Sequence, residues 1–300
     1  MTEAMTSASH TTPAPGSLAG VLVTAFAAVS ISLTLVLTPL VYDAGMSPLT
    51  VIAVRPLVFA AAVWLLYRAT SRPLSLPGRD RAIAFGLGVL YLIGTGGYLA
   101  SVVTLPISLA VLVFYTYPLL TLVISCLVER QRPRALELAA LLVALVGLAL
   151  ALGVEFDRLH PVGLALVGTG ALAMANSFYW LGRKLGGVDT AVATFHMGLS
   201  GFAVGLAALL ASGTMAWPDQ QGAWGWLLFA GILVTFTAGF FGMFRGVALI
   251  GSVRAATIMN LEPVATIGLA FVILGERLTA WQLVGAALVV GAVVAAQRRR

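Results

Sequence analysis

The sequence predicts an all-α polytopic membrane protein, with ten transmembrane helices built as two inverted five-helix repeats. Three observations carry this. Charge is scarce: the 300 residues include 17 Lys and Arg and 11 Asp and Glu, or 9% charged, against 60% apolar. Long apolar runs recur with short polar breaks. The second half of the chain repeats features of the first. A soluble domain averages about 25% charged residues. This chain has too little polar material to cover a water-facing surface, which excludes an ordinary soluble enzyme and a disordered chain. Mean hydropathy is +1.02 and the pI is about 10.0. The basic excess is scattered, so no nucleic-acid-binding face is expected. The single cysteine, Cys126, excludes an intramolecular disulfide. No Cys/His spacing suits a metal, and no cofactor is implied.

Residues 1–16, MTEAMTSASHTTPAPG, hold no apolar run and read as a disordered cytoplasmic tail. They lack the basic start of a secretory signal, so the first apolar run reads as a retained helix. A span needs about 20 residues. Ten fit, at 18–40, 48–67, 82–102, 107–128, 135–153, 161–181, 190–211, 224–244, 253–274 and 281–297. The runs are continuously apolar, not alternating, so they are helices and not membrane strands.

Basic residues orient the chain. With the amino terminus inside, the inside segments hold Arg68, Arg72, Arg79, Arg81, Arg130, Arg132 and Arg134. They also hold Arg183, Lys184, Arg245, Arg254, Arg298, Arg299 and Arg300. The outside segments hold only Arg158 and Arg277, and Arg55 lies within a span. Lys and Arg are retained on the cytoplasmic side, so both termini are expected there.

The repeat is visible residue by residue. Pro118 aligns with Pro263, Ala110 with Ala255 and Thr121 with Thr266. After a two-residue insertion Glu129 and Arg130 align with Glu276 and Arg277. The expected division is 17–153 and 154–300. Five spans per copy is an odd number, so the second copy enters the membrane upside down. Inverted repeats mark many secondary transporters, with the substrate site near the midplane between the halves.

The second copy reads IGSVRAATIMNLEPVATIGLAFVILGERLTAWQLVGAALVVGAVV, and the first LPISLAVLVFYTYPLLTLVISCLVERQRPRALELAALLVALVGLAL. Both resemble the EamA-type repeat of the drug/metabolite transporter superfamily. The shared features are a proline within the fourth helix, a Glu-Arg pair closing it and a Gly/Ala-rich fifth helix. The stretch MSPLTVIAVRPLVFAAAVWLL resembles that family's second helix. The resemblance implies ten helices, a central cavity and a carrier in a bacterial-type inner membrane. It further implies export of amino acids or other small metabolites.

Glu262 falls near the middle of the ninth span. A charge there costs about 2.5–3.5 kcal/mol on insertion scales. It either couples proton entry to substrate exit or holds a fixed contact that orients the helix at Pro263. Arg55 in the second span meets an anionic substrate, pairs with a carboxylate or snorkels outward. His196 sits at a similar repeat position, as a packing residue or a proton relay. Pro118 and Pro263 are either symmetry-related hinges or static kinks.

Several helices carry a polar or aromatic stripe at helical spacing. Ser30, Thr34 and Thr38 share a face, as do Tyr91, Thr95 and Tyr98, and Phe236, Phe240 and Phe244. Asn176 and Trp180 are four apart. Tyr117, Thr257 and Asn260 add polar positions. Together Thr34, Tyr91, Tyr98, Tyr117, Asn176, Trp180, Phe240 and Asn260 are the expected lining of a substrate cavity, because an amide facing lipid is costly. The alternative for each is ordinary packing. Gly182/Gly186, Gly201/Gly205 and Gly242/Gly246 read as close helix contacts.

Enzyme readings fare poorly. Gly198-Leu199-Ser200-Gly201 has the form of an intramembrane serine protease motif, yet no histidine follows Ser200. There is no HExxH and no P-loop. The expected partners are the lipid bilayer, a small-molecule substrate and, on the coupling reading of Glu262, protons. The rivals to a carrier are a membrane-embedded enzyme and a passive pore.

Overall fold

The computed structural model describes residues 18–101, 104–153, 159–274 and 277–297. The tail at 1–16, Arg158, Glu276 and Arg298, Arg299 and Arg300 lie outside them. All elements are helical: α1 (Leu18–Asp43), α2 (Pro48–Ala69), α3 (Gly78–Ser101), α4 (Ile107–Phe114), α5 (Tyr117–Glu129) and α6 (Ala135–Leu152). The second half follows as α7 (Pro161–Leu185), α8 (Thr190–Ser212), α9 (Ala223–Ile250), α10 (Ser252–Met259), α11 (Leu261–Leu274) and α12 (Ala280–Gln297). Counting α4 with α5 and α10 with α11, ten helical stretches are long and apolar enough to cross a membrane. The crossings alternate and bring Leu18 and Gln297 to one face, the terminal face.

The predicted spans shift at some ends. The eighth runs to Ile250 and not 244. Arg245 does not end it, because the guanidinium reaches Thr190 Oγ1 at 3.5 Å and the helix continues beneath it. Gly251, at φ +85°, ends α9 and lets α10 start at the next residue. That left-handed backbone favours glycine. At the other face Ser47 caps α2, accepting from Thr50 N at 3.2 Å, with Pro48 in the first turn.

Helix pairing has the symmetry of the repeats. In that symmetry α1 corresponds to α7 and α3 to α9. Observed packing joins α1 to α9 and α7 to α3, each pair being the image of the other. The pairs α2 with α8 and α6 with α12 each map onto themselves. Every one of these crossings is made by glycine. A Cβ on Gly246 would collide with Thr24, and one on Gly239 with Ile31, in the α1–α9 crossing. Gly97 and Gly170 do the same for α3–α7, Gly205 lies on Ala53 for α2–α8, and Gly147 faces Gly285 for α6–α12. Small residues let backbones approach, so dispersion and not hydrophobic burial holds helices together in lipid.

Large apolar side chains on the outside, among them Leu22, Phe26, Leu65, Leu210, Val234 and Val272, form a belt that only lipid would solvate. The core at the centre is aromatic and small, built on Phe59, Phe178, Phe240, Phe244 and Met197.

Candidate functional site

A cavity of about 490 Å³ lies between the repeats. Both contribute to it: α1, α2, α3 and α4–α5 from the first, α7, α8, α9 and α11 from the second. It extends to Ile107 and Leu152, which are helix-end residues on the face opposite the termini. Toward the terminal face its deepest lining includes Phe178, Met197 and Met243. Each lies about two turns from its helix end, so roughly 10 Å of packed protein closes that side.

Polar bridges between the repeats reinforce the closure. Tyr67 donates its hydroxyl to Asp189 Oδ2 at 2.7 Å, while Asp189 Oδ1 caps α8 by accepting from Ala191 N at 2.9 Å. Arg183 Nη1 lies 3.8 Å from Glu129 Oε1, and the Tyr179 hydroxyl points at the same oxygen from 3.4 Å.

The cavity wall is built where two helices break. Pro118 and Pro263 do not bend continuous helices. Each sits in the first turn of a new helix, α5 and α11, where a missing amide costs no ladder bond within that helix. The ladders are interrupted at Tyr115–Thr116 and at Asn260. Discontinuous helices suit residues that line a cavity. The residue before each proline, Tyr117 or Glu262, lines this one. So does Tyr115, which brings a phenol from the first repeat to the same cavity as Glu262 from the second. Ser32 Oγ lies 2.7 Å from both Ala28 O and Glu262 O and shares its one proton between them. Thr266 Oγ1 donates to Glu262 O at 2.9 Å. The backbone at Glu262 is thus held from two helices while its side chain faces the cavity.

Arg55 also lines the cavity. Its guanidinium carbon stands 4.7 Å from the centroid of the Phe236 ring. Among the described residues it has no ion pair, and its buried Nε has no hydrogen-bond partner. The carboxylate pairing open on sequence grounds is not made among the described residues. Aromatic rings surround it: Phe236 stacks on Phe240 at 5.5 Å, and Tyr91 and Phe59 meet Phe240 edge-on at 5.1 and 4.9 Å. Thr34 is tied to Thr235, oxygen to oxygen, at 2.8 Å.

Of the residues expected to line a cavity, Thr34, Tyr91, Tyr98, Tyr117 and Phe240 do, with Arg55, Glu262 and Pro263. Asn176, Trp180 and Asn260 do not, and Pro118 is buried behind the wall. Asn176 donates to Leu172 O at 2.8 Å and accepts from Trp180 Nε1 at 3.2 Å. Its amide is satisfied on its own helix, so the cost of a membrane amide does not oblige it to face a cavity. Asn260 is buried in the junction of α10 and α11.

Tyr115 escaped notice from sequence. On a continuous helix, residues two apart do not share a face, and a cavity face set at Tyr117 would leave Tyr115 off it. The break between α4 and α5 lets both line the cavity. His196 is a packing residue: Nδ1 lies 2.9 Å from Val192 O, and Phe195 and Phe85 abut the ring. Ser200 donates to Met197 O at 2.9 Å where α8 crosses α3 at Gly88, so the serine motif is a helix contact.

Ten spans, inverted halves and a cavity between them define the class: a membrane transporter of small solutes. The family model of the EamA-like transporter family matches residues 18–153 and again 161–296, and the chain belongs to that family. A solved structure, described only as the crystal structure of a protein, superposes with a TM-score of 0.76 at 20% identity. The match covers 95% of this chain and 100% of that one, and at this identity it speaks for the fold alone. No curated protein matches the chain.

Proposed function

We propose that the protein is a secondary active exporter of amino acids or other small metabolites, working by alternating access. One observation carries this reading: a cavity between inverted repeats reaches one face and is closed by about two helical turns at the other. A pore would be open to both faces. A carrier exposes its site to one face at a time and rocks the halves to expose it to the other.

The basic residues gathered at the terminal face support a cytoplasmic position for that face in a bacterial-type inner membrane. The cavity then faces outward, the state in which an exporter releases its cargo. Aromatic walls with few polar groups suit an amphiphilic metabolite. Glu262 is the candidate coupling group, a carboxyl on the cavity wall that cargo and protons would both reach.

Purified protein in proteoliposomes tests the reading. Saturable uptake of labelled amino acids with counterflow is expected. Non-saturating leak, or consumption of the solute, would overturn it in favour of a pore or an enzyme.

A further inference from the structure

We propose that Arg55 is the anchor for a carboxylate on the transported molecule, so that cargo is selected for a single negative charge at that end. This rests on the transport reading above.

The argument starts from an imbalance. A cation within a bilayer is tolerated when it is paired or meets water. Arg55 lines the cavity, yet no carboxylate of the described residues lies within 4.0 Å of it. That includes the cavity's own acid, Glu262. The threonines on the wall are spent. Thr95 bonds to the carbonyls of Tyr91 and Leu92, Thr266 to that of Glu262, and Thr34 to Ser30 and Thr235. Tyrosine hydroxyls remain as neutral donors, and Arg55 is the one cation among the described lining residues.

Geometry narrows what can take it. Phe236 covers the guanidinium from one side at 4.7 Å, which steadies the cation through the ring's negative face. The N–H fork runs along the edge of the guanidinium and is left for an acceptor. A carboxylate matches that fork with two parallel bonds. A doubly charged phosphate would leave one negative charge uncompensated among the aromatic rings. One guanidinium balances one carboxylate. Phe240 and Tyr91, packed beside Phe236, then receive the apolar body.

The test uses the purified full chain and four probes: N-acetylphenylalanine and 3-phenylpropionate, and their neutral counterparts N-acetylphenylalaninamide and 3-phenylpropanamide. Binding is read by thermal shift and calorimetry, and transport by counterflow. The carboxylates are expected to bind about tenfold to a hundredfold more tightly than the neutral forms, the range of a hydrogen bond to a charged group. Arg55→Gln should erase that preference, and Arg55→Lys should keep part of it. Equal binding of acids and neutral forms, a preference that survives Arg55→Gln, or no binding of any probe would each overturn the proposal. Should Arg55→Gln not fold, the comparison of probes on the unaltered chain decides. Saturable flux of neutral and acidic probes alike sinks the anchor and spares the transporter. Acid-selective binding without saturable flux does the reverse.

Discussion

The Ser32 hydroxyl lies 2.7 Å from Glu262 O, joining α1 of one repeat to the first turn of α11 in the other, a helix that starts at a break as α5 does. The two broken helices are repeat equivalents, and at an offset of 145 Tyr117 and Glu262 occupy the same place. The residue in this position is held by the other half through its backbone while its side chain faces the cavity between them.

If Glu262 couples protons, replacing it by a neutral isostere should uncouple flux from pH. Glu262→Gln is expected to abolish uptake driven by a pH gradient while leaving substrate exchange within about twofold. Pulse measurements of exchange and gradient-driven uptake on the same vesicles separate the two. An unchanged response to the gradient would give Glu262 a purely structural role.

The bridges on the terminal face should bias the chain toward its present state. Tyr67→Phe combined with Arg183→Gln removes the bonds to Asp189 and Glu129. Exposed or part-exposed bridges are worth about 0.2–1 kcal/mol each. The expected result is a severalfold rise in labelling of a cysteine placed at Phe244, in a Cys126→Ser background, by a water-soluble maleimide. No rise would mean that packing alone closes this face.

Neighbouring glycines on α3 should behave oppositely. A Cβ on Gly97 would fall 2.6 Å from Leu166 O, whereas one on Gly96 meets nothing within 4 Å. Gly97→Ala is expected to cost about 1–3 kcal/mol through overpacking. Gly96→Ala should be neutral. Thermal unfolding in detergent, followed by tryptophan fluorescence, distinguishes them. Equal loss would show that α3 and α7 do not cross as closely as described.

The cavity wall and the lipid-side helix face should separate in kinetics. Tyr91→Ala and Phe240→Ala remove lining and should raise KM by tenfold or more, since burying an aromatic ring contributes about 1.5–3 kcal/mol. Asn176→Ala lies off the wall and should leave KM within about twofold. A large KM effect at Asn176 would redraw the cavity.

The helices were legible because lipid leaves no alternative: every buried amide must bond within its own segment, so apolar runs of the right length are helices. The inverted halves followed from Pro118/Pro263 and an odd number of spans. The cavity was legible only where a stripe stayed on one unbroken helix, as for Tyr91 and Tyr98 or Phe236 and Phe240. Periodicity fails where the helix itself stops, and this hid Tyr115. Polarity misleads when a side chain is satisfied by its own helix, as with Asn176 and Trp180. Arg55 shows a third limit: whether a membrane cation is paired is a distance between α2 and its neighbours, which no spacing along the chain records.

The pairing of helices bears on a state not seen here. The couples α2 with α8 and α6 with α12 are their own images, whereas α1–α9 and α3–α7 are images of one another. In a carrier that alternates, each half takes up the shape its twin now holds. The self-paired couples can then act as fulcrums that keep their contacts throughout the cycle. The other two trade conformations, the crossing at Gly246 and Thr24 assuming the form now found at Gly97 and Gly170. On the alternating-access reading proposed above, the opposite-facing conformation is this one with the two halves exchanging parts.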